Sequence, residues 1–348
     1  MKNTLYLISN ERITQNNNTF FCDNLDMKST PEGLNKYFDV NIIARKSEAD
    51  RFQRINLQTI KTFSNIFSYI NEVMRSSKSK NSKFLIISLT PYTFLAGICL
   101  RLFGKKPFLY LRSNGYDEYK IILGNFGKLI YHFMFTLISN ISFLISCREH
   151  LLRGKNGKVV SPSQLDEVWH QNHTKPSLEK VKLIYVGRLK KEKGIFSLLN
   201  LIKKQSKINL TIVGAREVES NLINQENVNI VKIINDKKKL INLYDENNIM
   251  ILPSFTEGYP MVILESLSRL RPVIIFKEIE HVIEGRKGIF VSYRDYSSLL
   301  EKINYIMDNY NSIQESMKSN KLPDNETFIS QLKEILSKKK FDIDKSIS

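Results

Sequence analysis

The chain has 348 residues, 42% of them hydrophobic and 25% charged, which suits about two globular domains with a core that needs no disulfide support. Lys and Arg (52) outnumber Asp and Glu (35) for a formal charge of +17, divided as +10 over residues 1–174 and +7 over the rest. Such a field favours anionic partners, nucleotides or phospholipid surfaces, whereas the absence of a nucleic-acid motif or a single dense basic stripe argues against nucleic acid.

In chain order, "TLYLIS" reads as a first strand, and "MKNTLYLISNER" is too short in its apolar run to be a secretory signal. "FDVNIIA", "KFLIISL", "PFLYLR" and "ISFLIS" follow as strands, with helix-length amphipathic stretches between them. Cys22, Cys99 and Cys147 are scattered without metal-ligand spacing; they read as inert thiols of a reducing compartment. Between Lys128 and Arg148 lie nineteen residues without a formal charge, close to the ~20 that a membrane span requires. His132, Asn140 and the Ser/Thr residues favour a helix followed by a buried strand over a span. That helix is also suited to lie against a membrane, because "LFGKKPF" and "NFGKLIYHF" mix lysine with aromatic residues.

A polar joint, Asp166 to Lys182 with Pro176 inside it, separates the halves. Beyond it, "KLIYVG", "INLTIVG", "VNIVKI", "NIMILP" and "RPVIIF" read as five more strands. Continuous apolar strands alternating with helices predict parallel sheets covered on both faces. Two such series predict two doubly wound α/β domains, at 1–167 and 178–322, followed by a C-terminal helix and polar tail at 323–348. Ligands are then expected at the carboxyl ends of the strands.

The second half carries the candidate site. In "ILPSFTEGYPMVILESLSRLRPVIIF", Ile251 to Phe276, Pro260 is expected at the first helical position, and Ile263, Leu267 and Leu270 are expected to face the sheet. The amide N–H groups of Gly258, Tyr259, Met261 and Val262, with Pro260 among them as a residue without one, would border a helix start that attracts anions. Glu257 is read either as a cap or as an acceptor for ligand hydroxyls. Glu265 is read either as a surface residue or as a partner for a ribose. Upstream, "KLIYVGRLKKEKGIFSLLNLI" ends a strand at Gly187 and opens a basic loop. There Arg188 and Lys193 would neutralise a diphosphate, one as a fork and one as a point charge.

Together, "VGRLKKEKG" and "PSFTEGYPMVILESLSRLRPVI" resemble the nucleotide-binding half of the family 4 glycosyltransferases, retaining enzymes with the GT-B fold. The resemblance runs from about Lys182 to Asp308 and is architectural only over residues 1–165. It implies two Rossmann-like doubly wound domains facing an interdomain cleft. It implies that Arg188, Lys193 and Glu257 serve catalysis, with Gly187, Gly258, Tyr259, Pro260, Met261, Val262 and Glu265 binding the donor. The partners implied are a nucleotide-sugar, most simply a UDP-sugar, and a glycan or lipid-linked acceptor; no cofactor and no metal are expected. The setting implied is cytoplasmic, peripheral to the membrane, in polysaccharide, lipopolysaccharide or glycolipid synthesis.

Three departures stand out. "ISNERITQNNNTF" lacks the family's glycine-rich turn after the first strand, and "FKEIEH", Phe276 to His281, replaces another after "PVI". Where the family often has a histidine near the donor sugar, this chain has "LYLRSNGYDEYK", so Arg112, Ser113 or Asn114 is expected to stand in for it, and Arg112 and Asn114 are also the candidates for the acceptor side. A nucleotide-sugar epimerase, a non-catalytic sugar-nucleotide-binding subunit and a basic membrane-surface or nucleic-acid binder that depends on scattered lysines are the competing readings. "DID", Asp342 to Asp344, and the pair His170 and His173 are the weaker metal candidates, each with a plainer reading as tail and linker.

Overall fold

The computed structural model describes residues 2–203, 205, 207–215 and 225–338. The chain divides into two compact units, one formed by residues up to Pro162 together with those from Asn325 onward, the other by Ser163–Asp324.

The first unit contains β1 (Thr4–Asn16), β2 (Thr19–Cys22), α1 (Asp26–Leu34), β3 (Asp39–Lys46), β4 (Gln53–Ile55), β5 (Thr59–Phe63), α2 (Ile66–Ser77), β6 (Ser82–Ile87), α3 (Pro91–Leu102), β7 (Phe108–Leu111), α4 (Gly115–Ile141), β8 (Phe143–Ser146) and β9 (Gly157–Val159). The parallel part runs β5-β3-β1-β6-β7-β8-β9. β7 and β8 are buried along their whole length, as helices on both faces require. Local signals set the helix starts. Asn65 accepts from the Ser68 amide ahead of α2, and Thr90 forms a capping box with Thr93 ahead of α3, where Pro91 opens the first turn.

Where a glycine-rich turn is absent from the sequence, β1 simply continues. It shifts register between Ile8 and Arg12, turns at Asn17 and Asn18 (φ 44° and 62°), and returns as the antiparallel β2, on which β4 pairs. Asparagine adopts left-handed φ at low cost, so a tight hairpin needs no glycine here. α4 is broken at Gly124 (φ 67°, ψ −154°) and leads into the buried β8. The uncharged stretch is therefore a helix and a core strand.

The second unit contains β10 (Val181–Val186), α5 (Ile195–Ile202), β11 (Ile208–Ala215), β12 (Val228–Lys232), α6 (Lys237–Glu246), β13 (Ile249–Leu252), α7 (Met261–Ser268), β14 (Val273–Phe276), β15 (Ile289–Ser292), α8 (Tyr296–Asp308) and α9 (Tyr310–Met317). Its six strands are all parallel, in the order β12-β11-β10-β13-β14-β15. The chain order reverses between β10 and β13, which makes their carboxyl ends the topological switch point of a doubly wound sheet.

The polar joint is strapped to this unit. Trp169 is buried against Tyr244, with ring centroids 5.9 Å apart. Arg269 and Arg271, both fully buried, fan out to the Trp169, Gln171, Asn172 and Thr174 carbonyls and to the Asp245 carboxylate. Two buried cations are tolerable only because every arm finds an oxygen. His173 contacts the Ser268 carbonyl through Nε2 at 2.8 Å, and burial lowers the pKa of the neighbouring His170. The "DID" segment lies outside the described residues.

The last described helix, α10 (Asn325–Ser337), returns to the first unit. Phe328, Ile329, Leu332, Ile335 and Leu336 enter the same apolar cluster as Leu5, Val40 and Leu85. Gln331 caps the Ser161 amide at 2.8 Å, and the Lys83 ammonium donates to the carbonyls of Leu336 and Lys338. The segment beginning near residue 323 is thus a core element of the first unit through α10.

Candidate active site

Every proposed donor-site residue of the second unit lies on the two segments that leave the strands flanking the switch point. Gly187 and Arg188 follow β10, and Glu257 through Glu265 follow β13. Close backbone approach brings the two segments together. Gly194 has φ 67°, and a Cβ there would stand 1.9 Å from the Pro253 carbonyl oxygen. Only glycine can occupy that position without moving one loop off the other. The Phe255 amide also donates to the Glu192 carbonyl at 2.9 Å.

That approach places Lys193 against Glu257. The Lys193 ammonium lies 2.6 Å from Glu257 Oε1, and the Ser254 hydroxyl donates to the same oxygen at 2.6 Å. The Glu257 side chain is only 10% exposed and the Lys193 side chain 21%, so the pair is sheltered but reachable. Arg188 is exposed; its carbonyl accepts from the Tyr185 hydroxyl at 2.8 Å. Among the described residues its guanidinium has no ion-pair partner. The arrangement therefore offers one sheltered Lys–Glu pair and one exposed guanidinium at the ends of adjacent parallel strands.

The helix start differs from expectation. α7 begins at Met261 with Pro260 as its N-cap (φ −78°, ψ 100°), and no side chain caps it. Glu257 is therefore not a cap: its carboxylate is engaged by Lys193 and Ser254. Pro260 fits the cap position because it carries no amide hydrogen to satisfy. Leu270 adopts φ 55° beyond the end of the helix, and Leu264 is buried beside Ile263 and Leu267 instead. α7 is enclosed on nearly all sides, so Glu265 is no surface residue: it is 7% exposed, and Oε2 accepts from the Tyr244 hydroxyl at 2.9 Å. Burial and the adjacent carboxylate push the Tyr244 phenol far above its ordinary range. Tyr259 meets Arg286, whose Nη2 lies 3.3 Å from its hydroxyl.

Sequence reasoning missed several supports of the site. Arg294 donates to the Pro253 carbonyl at 3.0 Å and lies over the rings of Phe255 (4.1 Å) and Phe276 (4.4 Å), with Glu278 on its Nε. His281 Nε2 is 2.9 Å from the Glu257 carbonyl. Beyond Phe276, Lys277–Val282 thus forms a short 3-10 turn that braces the acidic loop. Tyr244 lies 21 positions before its partner, on a helix whose pattern marks it only as core.

Arg112 and Asn114 are in the first unit, at the carboxyl end of β7. Arg112 Nη1 is 3.4 Å from Asp26, and Asn114 Nδ2 donates to Asp117 at 2.6 Å.

Comparison with known proteins bears on the family and the fold. Residues 167–339 match the family described as glycosyl transferases group 1. The chain is 28% identical over 151 residues to the capsular polysaccharide biosynthesis glycosyltransferase CapM of Staphylococcus aureus, 39% of each chain, so it spans about two-fifths of that relative's length. It is 24% identical over 292 residues to an uncharacterized 41.2 kDa protein in the cps region of Klebsiella pneumoniae, covering 77% of this chain and 72% of that one. In fold it is similar to Anabaena HepE, solved in complex with UDP and glucose, with a TM-score of 0.69 at 14% identity over 97% of this chain and 100% of the other. The two Rossmann-like units are those of the GT-B fold.

Proposed function

Because residues 167–339 of this chain belong to the glycosyl transferases group 1 family, we propose that it moves a sugar from a UDP-sugar, with retention of configuration, to a glycan or lipid-linked acceptor in cell-surface polysaccharide synthesis. The capsular relative and the cps-region relative support the polysaccharide setting, and the neighbour in complex with UDP supports the base. The observation that carries the reading is the sheltered contact of Lys193 with Glu257, next to the exposed Arg188 at the switch point.

In this reading the diphosphate sits between Arg188 and Lys193. Both cations meet charge that grows on the leaving phosphate, in a site already organised before the reaction. On donor binding, Lys193 exchanges the Glu257 carboxylate for a phosphate oxygen. Glu257, still fixed by Ser254, is then free to accept from a hydroxyl of the transferred sugar. Glu265, held by Tyr244, faces the ribose. No side chain is needed as base: the acceptor hydroxyl attacks from the leaving-group side and gives its proton to the departing phosphate. The two basic side chains supply charge balance that a divalent ion would otherwise provide. Arg112 and Asn114 are the acceptor-side candidates of the first unit.

The test is turnover of a UDP-sugar panel by wild type and Arg188→Ala, with products identified. Arg188→Ala should lose about 3 kcal/mol of transition-state stabilisation with an unchanged melting temperature, since its guanidinium is exposed. Unchanged turnover in the variant removes the role given to Arg188. Epimerised free sugar in place of a glycosylated acceptor establishes the epimerase.

A further inference from the structure

Three loops of the second unit meet at one carbonyl. The Pro253 oxygen, just past the carboxyl end of β13, is the atom against which Gly194 packs. A Cβ on that glycine would stand 1.9 Å from it and 3.3 Å from Arg294 Nη1. Arg294 reaches the same point from the loop between β15 and α8. It donates to the Pro253 carbonyl from Nη1 at 3.0 Å and to the Ser254 carbonyl from Nη2 at 3.4 Å. The guanidinium is fixed from its other sides as well. It lies over the Phe255 ring at 4.1 Å and the Phe276 ring at 4.4 Å, and Nε donates to Glu278 at 2.8 Å. Its side chain is 16% exposed, so water screens these contacts only in part.

The Lys193–Glu257 contact hangs on this node. Lys193 is the chain neighbour of Gly194. Ser254, whose hydroxyl holds Glu257 Oε1 at 2.6 Å, is the neighbour of Pro253. Glu278 shares the 3-10 turn Lys277–Val282 with His281, whose Nε2 is 2.9 Å from the Glu257 carbonyl. One guanidinium therefore joins the loops that carry both partners to the turn that braces them. An arginine suits this place because its planar fork serves three oxygens in fixed directions, whereas a lysine ammonium is a single mobile point of charge.

We infer that Arg294 is a positioning residue for the Lys193–Glu257 pair. It acts through the Pro253–Ser254 backbone, which it clamps where Gly194 crosses, and so sets how far the ammonium stands from the carboxylate. The value of that spacing for sugar transfer rests on the function proposed above; the clamp itself does not. A side chain that only added packing energy would lower the melting temperature when removed and leave the pair in place.

The experiment follows acetylation of Lys193 in the full chain by an amine-reactive ester, measured by mass spectrometry and referred to the exposed Lys318. Arg294→Gln should raise the Lys193 rate about fivefold or more. Glu278→Gln, which releases Nε alone, should raise it less, and it carries the test should Arg294→Gln fail to fold. Arg294→Lys should not restore the wild-type rate, while free guanidinium at a non-denaturing concentration should lower the raised rate of Arg294→Ala. With a UDP-sugar that the wild type turns over, Arg294→Gln should lose about tenfold or more in kcat. Its thermal shift with that UDP-sugar should fall to the shift with UDP, and the UDP shift itself should stay at the wild-type value. An unaltered Lys193 rate in both Arg294→Gln and Glu278→Gln overturns the inference. So does full recovery in Arg294→Lys, or loss of the UDP shift along with the sugar's share. A wild type that turns over no nucleotide-sugar defeats the proposed function, and the acetylation rates then judge the clamp by themselves.

Discussion

Glu265 takes its character from a phenol 21 positions earlier in the chain. A carboxylate at 7% exposure is costly unless its lone pairs are engaged, and the Tyr244 hydroxyl engages one of them. Tyr244→Phe removes the donor and keeps the ring. It should destabilise the protein by about 1–3 kcal/mol in urea unfolding and weaken nucleotide-sugar binding by thermal shift; an unshifted urea midpoint would deny Tyr244 this task. Cys22 gives a pH signature. Burial first, and then the neighbouring carboxylate of Glu11, raise its thiol from 9.0 to about 12. The folded state therefore holds the proton longer than the unfolded chain. The stability this gives is complete below pH 9.0 and is lost as pH climbs toward about 12. The difference in unfolding free energy between wild type and Cys22→Ala should shrink over that range, by up to about 1.4 kcal/mol per pH unit.

Among elements, the loop from β10 to α5 depends most on one residue. Gly194→Ala combines left-handed φ with a clash at 1.9 Å and should cost about 1–3 kcal/mol, with loss of turnover as Lys193 leaves Glu257. Gly285→Ala is the control: it has φ 71° but no neighbour within 4 Å, so only the left-handed penalty of about 1–2 kcal/mol applies. Equal denaturation midpoints for the two variants would mean that close approach plays no part. The long apolar strands and the pairing of a "VGR" loop with a "TEGYP" loop were legible because periodicity and strand-end chemistry are local. β2, β4 and β9 were not, being short pieces defined by their partners. The burial of Arg269 and Arg271 was equally hidden, since "SRLRP" looks like any solvated turn until ten positions of backbone at 166–175 are laid over it.

At the scale of the molecule, the chain is discontinuous in space: the first unit is completed by the last described helix. Nothing in the pattern of "NETFISQLKEILSKK" says which sheet it will cover, because an amphipathic helix specifies a face and not a partner. Ending the chain before Asn325 would remove Phe328, Ile329, Leu332, Ile335 and Leu336 from the cluster around Leu5 and Leu85. At about 2–5 kcal/mol for each large side chain lost, five such losses are as large as the ~5–15 kcal/mol that holds a domain together. Limited proteolysis should then degrade the first unit and leave a fragment near residues 163–324; equal survival of both would show that α10 is dispensable. There is a temporal side to this connectivity. A ribosome delivers residues in order, so the middle of this chain can reach its native form while its beginning still waits for its end. Until α10 has been translated, Leu5, Val40 and their neighbours stay exposed to chaperones, and a stop codon placed before Asn325 would harm the part of the protein that was made first.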